Sequence, residues 1–226
     1  MKVNSMIEFL KNYPLFDVLN PQEMEMLLER VQTHVRPKYS YIYHPGDPSD
    51  KLYFLAKGVV KVGTHSDDGR EVIKSILHPM AMFGELGLAG EQQRQEFAKA
   101  MNEEIHYCAL AISDLKAMME VNHELCLKVL GVVGGRLRKV EDRLESLIFK
   151  DARTRIIEFL KDSASRRGRK VGFEMLLKHC LTQQDIANIT GTSRQTVTSV
   201  LNELKKENLI YFNRRSILIR DMAKLT

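Results

Sequence analysis

The sequence predicts an α+β chain, with a β-rich half followed by a helical half, on three observations. Between residues 31 and 110, short apolar runs recur at roughly 8–12-residue spacing with turn residues between them, the texture of an all-β barrel or sandwich. From about 120 to 149, apolar residues fall in steps of four and three without a break, which a long helix places on one side. From 182 to 219, two short helices joined by a glycine lead into two short strands around a basic turn.

In chain order, residues 6–30 read as short helices. Asn20-Pro21 starts the second of them, with Met24, Leu27 and Leu28 as its apolar side. Strands are expected at Tyr39–Tyr43, Leu52–Leu55, Val59–Val62, Glu71–Leu77 and Ile105–Leu110, with turns at His44–Pro48, Lys57-Gly58 and Asp67–Arg70. One helix is then expected from Glu120 to Phe149. Its seam is Cys126, Leu130, Val133, Leu137, Val140, Leu144 and Leu147, with Arg136, Arg138, Lys139, Glu141, Asp142 and Arg143 around it. So narrow and regular a stripe predicts a two-stranded dimer helix, because a helix buried within one chain shows a broader apolar face. Gly131, Gly134 and Gly135 interrupt it, each at a cost of about 1 kcal/mol relative to Ala. Close approach of the backbone to the β-rich part, or a hinge, would each account for them. Asp151 opens the last segment, with Ile156, Ile157, Phe159 and Leu160 as a first apolar face. The expected division is 1–119, 120–149 and 150–226.

The helix pair carries the most chemistry. Thr182 with Asp185 three residues on is a capping signature, and Gly191 supplies a tight turn. Val197, Val200, Leu201 and Leu204 make one buried stripe on the second helix, leaving Arg194, Gln195, Thr198, Ser199 and Asn202 opposite. All five are donors or acceptors and none is acidic, a face suited to a DNA major groove, where Arg matches guanine and Gln matches adenine. Thr182, Thr192, Ser193 and Thr198 are assigned to phosphates, Gln183 joins the same face, and Arg214 and Arg215 lie where a wing meets phosphate. Gln195 has a second reading. Thr192-Ser193-Arg194-Gln195 also fits a capping box, in which its amide folds back onto the helix start.

Composition agrees with a local basic surface. Of 226 residues, 34 are Lys or Arg and 29 Asp or Glu, a formal charge of +5. Much of the excess is late, in residues 136–155 and in Arg-Arg-Gly-Arg-Lys at 166–170. Three scattered cysteines, Cys108, Cys126 and Cys180, indicate neither a zinc site nor a disulfide framework. The seven His have no ligand spacing, so no metal is expected. No nucleophile–base order, phosphate loop or carboxylate pair points to an enzyme. With no leader pattern at the start and no apolar run long enough for a membrane span, a cytoplasmic protein is expected.

The order of elements, with Pro45-Gly46-Asp47, Leu55–Val62, Phe83-Gly84-Glu85-Leu86-Gly87-Leu88 and the span Leu181–Ile210, resembles the CRP/FNR family of bacterial transcription regulators over essentially the full length. The resemblance implies an N-terminal double-stranded β-helix (a jelly-roll, cyclic-nucleotide-binding-like domain), a dimerisation helix and a C-terminal winged helix-turn-helix. It implies duplex DNA, a second copy and RNA polymerase as partners. In the cyclic-AMP-binding members, Gly-Glu-Leu and a following Arg-Ser cradle the nucleotide. Here Gly84, Glu85 and Leu86 match. Arg94 matches if the loop is one residue shorter, and Gln95 replaces the Ser. The pair that reads the adenine falls at Val140 and Glu141, which lack that chemistry, so a cyclic nucleotide is not favoured. The competing reading of Gly84–Gly87 is a turn whose Glu caps local amides. The family's iron–sulfur members use N-terminal Cys, absent from residues 1–35, and its haem members use an axial His, whereas His78 before Pro79 reads as a turn residue. Cys126 on the seam reads as a structural thiol, with a disulfide across the twofold as the alternative. The expected function is a homodimeric, sequence-specific DNA-binding regulator. The alternative is a cyclic-nucleotide-responsive protein acting through a protein partner.

Overall fold

A computed structural model describes residues 3–101, 103–213 and 215–225, as two compact units. The first comprises residues up to Arg70 and Lys74–Lys139; the second comprises Glu71–Ile73 and everything from Val140.

The first unit starts with helices α1 (Val3–Lys11) and α2 (Pro21–Arg30). Asn20 accepts from the Gln22 and Glu23 amides while Glu23 reaches back to the Asn20 amide, so the orphan amides at the start of α2 find partners where the Asn-Pro pair predicts a helix start. Eight strands follow: β1 (Gln32–Arg36), β2 (Tyr41–Tyr43), β3 (Lys51–Lys57), β4 (Val60–His65), β5 (Glu71–Leu77), β6 (Ala81–Phe83), β7 (Phe97–Ala100) and β8 (Ile105–Ala111). They form two four-stranded antiparallel sheets, ordered β1-β8-β3-β6 and β2-β7-β4-β5. Period-two alternation sends Tyr53, Leu55, Ile105, Tyr107 and Ala109 into one core with Val60, Val62 and Ala98 of the other sheet. Leu52, Phe54, Cys108 and Leu110 point the other way, into a core shared with Leu10, Leu27, Leu115 and Leu125 of the helices and with Phe16 of the turn between α1 and α2. Tyr39 is not part of a strand. Its φ of 65° breaks the expected run, and β2 begins at Tyr41.

The single helix expected from Glu120 is two. Helix α3 (Ile112–Val121) ends at Asn122, and α4 (His123–Phe149) begins after it. Asn122 leaves helical geometry, its Oδ1 accepting from the Leu125 amide and its Nδ2 donating to Glu23, so the side chain caps the new helix rather than continuing the old one. Leu125 and Val129 of α4 are buried in the first unit, whereas Leu130, Leu137, Val140 and Leu144 of the seam are 58–65% exposed. Cys126 is half-buried, and Val133 and Leu147 are exposed at the low end. Around Gly131, Gly134 and Gly135 a Cβ would meet nothing within 4 Å. The expected close approach to the β-rich part is therefore not their use within one chain.

In the second unit, Asp151 caps α5 (Ala152–Arg167) by accepting from the Thr154 amide. Then come β9 (Arg169–Val171), β10 (Glu174–Lys178), α6 (Gln183–Thr190), α7 (Arg194–Lys206), β11 (Ile210–Phe212) and β12 (Ser216–Ile219). The sheet order is β11-β12-β10-β9. Ile156, Ile157 and Leu160 pack among the buried Leu177, Ile186, Val197, Leu201, Leu204, Ile210, Ile217 and Ile219 of this unit.

Candidate nucleic-acid interface

Helices α6 and α7 are held by their own caps. Thr182 Oγ1 accepts the Asp185 amide at 3.0 Å, while Asp185 Oδ2 takes the Thr182 amide at 2.8 Å and its hydroxyl at 2.7 Å. Asp185 is buried, so truncating it leaves two donors without their acceptor. Asp185→Ala is expected to destabilise the second unit by about 1–2 kcal/mol, seen as a lowered denaturation midpoint. An unchanged midpoint would remove the capping box from the account of this helix.

Helix α7 starts one residue later than the Thr192 reading requires. Ser193 is the N-cap and accepts the Thr196 amide at 3.0 Å; the two hydroxyls lie 2.8 Å apart. The residue three positions after the cap is therefore Thr196 and not Gln195, whose side chain is exposed on the open face. Arg194, Gln195, Thr198 and Ser199 line one cleft of about 670 Å³, so the structure brings the predicted base-reading residues together. Two assignments change. Thr198 Oγ1 lies 2.7 Å from Gln183 Oε1 and 2.8 Å from the Arg194 carbonyl, so its one proton is spent within the motif and ties α7 to α6. The Thr182 hydroxyl proton goes to Asp185. A phosphate offers only acceptors, so neither hydroxyl donates to one in this arrangement. Thr192 uses its amide on the Ala187 carbonyl, closing the turn.

The wing is the turn between β11 and β12. Asn213 Oδ1 accepts the amides of Arg215 and Ser216 at 2.9 Å each, and the Arg215 carbonyl accepts the His179 amide at 3.0 Å. These bonds fix the exposed Arg215; Arg214 lies outside the described residues. Lys178, Asn213, Arg215 and Ser216 line a second cleft of about 510 Å³. Sequence reasoning missed Lys178 because it missed β9 and β10. The Gly172 turn between two short runs was the available signal.

The other candidate pocket lies in the first unit. Gly84 has φ +82°, and a Cβ there would stand 2.9 Å from the Lys51 carbonyl, so only glycine fits. Residues 85–89 form a 3₁₀ turn in which Glu85 pairs with Arg136 of α4, rather than capping local amides as the competing reading had it. Arg136 also donates to the Met82 carbonyl, and burial lowers its pKa. Arg94 is buried. It donates to the carbonyls of Gly84 (2.9 Å) and Lys51 (2.5 Å), and stacks 4.6 Å from the Tyr43 ring centre and 5.7 Å from that of Tyr53. Its Nε is buried without a partner among the described residues. Burial raises the pKa of both tyrosines, most strongly for Tyr43, where the Glu96 carboxylate adds to it. Leu86 and Gln95 are exposed, the latter donating to the Gln93 carbonyl. Val140 and Glu141, in the second unit, are exposed. His78 stands at the turn after β5, its carbonyl accepting the Ala81 amide.

Residues 154–226 match the model of a Crp-like helix-turn-helix domain, and residues 34–122 match that of a cyclic nucleotide-binding domain. A CRP-like cAMP-activated global transcriptional regulator of Mycobacterium tuberculosis is 30% identical over 220 residues, which span 97% of this chain and 98% of that protein. The cyclic AMP receptor protein of Thermus thermophilus is 29% identical, over 96% of each chain. Among solved structures, a CooA variant from Carboxydothermus hydrogenoformans superposes with a TM-score of 0.78 at 28% identity, covering 95% of this chain and 94% of that one. FixK2 of Bradyrhizobium japonicum shares the fold at a TM-score of 0.76 and 23% identity, over 86% and 95% of the two chains.

Proposed function

This chain belongs to the CRP/FNR family of transcription regulators and carries its DNA-binding helix-turn-helix, and from that premise we propose that it acts as a homodimer on a near-palindromic operator. The observation that carries the dimer is the seam. Four apolar side chains at heptad spacing are more than half exposed in one chain, and a second copy would cover them. Two copies of α7 would then read two half-sites about one DNA turn (~34 Å) apart. Arg194 donates to a guanine, Gln195 and Ser199 read neighbouring bases, and the start of α7 offers backbone amides to a phosphate. Arg215 anchors the wing on phosphate, and Arg214 shares that role by sequence. The labour divides among a sensor domain at 1–119, a dimerisation segment at 120–149 whose helix is α4, and the DNA-binding domain at 150–226. RNA polymerase is the further partner and the cytoplasm the place of action. No helix among the described residues is long and apolar enough to cross a membrane. In-cell footprinting followed by motif extraction tests the reading; protected sites without a paired, inverted motif would contradict it.

The mycobacterial relative is named for activation by cyclic AMP. Three features support a different effector state here. The Glu85 carboxylate is paired with Arg136, two Arg94 nitrogens are spent on carbonyls, and Val140 offers an adenine no hydrogen bond. One buried donor, Arg94 Nε, is left for an anion. Entry of a nucleotide would break existing charged hydrogen bonds without replacing them at the base end, which is costly. Titration calorimetry with cyclic AMP and cyclic GMP is expected to show no micromolar binding, and the purified protein is expected to bind its operator without added ligand. Micromolar binding that tightens operator affinity would instead establish cyclic-nucleotide gating.

A further inference from the structure

The last turns of α4 belong to the second unit, and three groups converge there on the junction between α6 and α7. Arg143 Nη2 donates to the Ile189 carbonyl at 2.7 Å, and its Nη1 donates to the Ile73 carbonyl of the 71–73 segment at 3.0 Å. Arg155 of α5 takes the next two carbonyls, Nε to Thr190 at 2.8 Å and Nη2 to Gly191 at 3.1 Å. Its Nη1 holds Lys150, just past α4, at 2.6 Å. Gly191 has φ +64°, and a Cβ there would stand 2.8 Å from Leu147 Cδ2, so the turn fits closely against α4.

The final carbonyls of a helix lack partners of their own. Here three in succession are taken by two guanidinium groups, whose positive charge suits the negative end of α6. A guanidinium can hold carbonyls on separate elements at once, because its five donors lie in a rigid fork; an ammonium cannot keep that geometry. Arg143 is half-buried on the helix that the dimer would share, whereas the exposed α7 face carries the base readers.

We propose that Arg143 is a positioning residue for operator recognition, fixing the α6–α7 pair on the dimer helix and thereby setting the half-site separation the protein accepts. The inference rests on the dimeric operator reading above. Two reading heads held rigidly on one shared axis match one spacing, and loosening either head admits neighbouring spacings while raising the ordering cost at the best one.

The test is selection by the full-length protein from DNA carrying paired half-sites at varied separations, with parent, Arg143→Ala, Arg143→Lys and Arg138→Ala compared. Arg138→Ala controls for the loss of one positive charge from an exposed site on the same helix. The parent is expected to select one spacing. Arg143→Ala should return the same half-site motif spread over neighbouring spacings, with affinity for the parent's best operator lowered about tenfold or more. Arg143→Lys should fall between, and it carries the test if the alanine variant does not fold. Arg138→Ala should keep the parent's spacing. An Arg143 variant that holds the single spacing at parental affinity overturns the proposal, as does one that loses the half-site motif itself, since that marks a support for α6 alone. A parent that selects no paired motif instead refutes the dimeric operator reading, and this inference with it.

Discussion

Leu137→Glu combined with Leu144→Glu is expected to yield a folded monomer that no longer binds the operator. Leu137 and Leu144 are 59% and 58% exposed in the isolated chain, so most of each side chain is available to bury in a dimer. Covering the four side chains of two copies contributes on the order of 4–7 kcal/mol, from about 1.5–3 kcal/mol per fully buried Leu. Glutamate at both positions removes that contribution and sets four carboxylates along one seam, where burial without a cation costs several kcal/mol more. The fold within each chain should survive, because the buried stripe of α4, Leu125 and Val129, is untouched. A monomer presents one α7 to one half-site and forfeits the effective concentration that links the second contact to the first. Sedimentation reads the mass and gel shift reads the binding; a stable dimer of the double variant would remove the seam from the interface.

Arg194→Ala is expected to cost about 1–3 kcal/mol in operator affinity per half-site and to relax the preference at one base pair in each. Arg194 is exposed at the start of α7 and shares its cleft with Gln195 and Ser199, so its truncation leaves those neighbours and the Ser193 cap in place. Loss confined to one base pair is the mark of base readout. Arg215→Ala serves as the contrast. From the wing turn it should weaken binding about equally on all sequences and reduce the salt slope by roughly 1 per site. Selection from random DNA that returns the parental motif from Arg194→Ala would refute the guanine assignment.

The parts legible in the sequence are those that local chemistry settles. The Thr182–Asp185 box, the Gly191 turn, the α7 stripe and the strands flanking Asn213 each depend on residues a few positions apart, and each is present. Misplacements arise where two local solutions compete. Asn122 caps a new helix four residues before the 3-4 pattern begins at Cys126, and Ser193 takes the cap that Thr192 could have supplied. Strand β3 hides its alternation because both its faces are buried, from Leu52 to Leu55. Strand β9 hides in the basic run at 166–170, all three of its residues being exposed. The arginines are the least legible. Arg136, Arg143 and Arg155 read as a solvated charged surface, yet each donates to backbone carbonyls 35 or more residues away, which leave no trace in residue type.

The exposed seam also has a quantitative consequence for gene dosage. If only the paired form reads the operator, then below the dissociation constant of the pair its amount rises with the square of total chain concentration. Halving the synthesis rate in that regime would cut occupancy about fourfold, and doubling it would raise unsaturated sites by the same factor. A regulator built this way converts a modest change in its own expression into a steeper change at its promoters, with no small molecule involved.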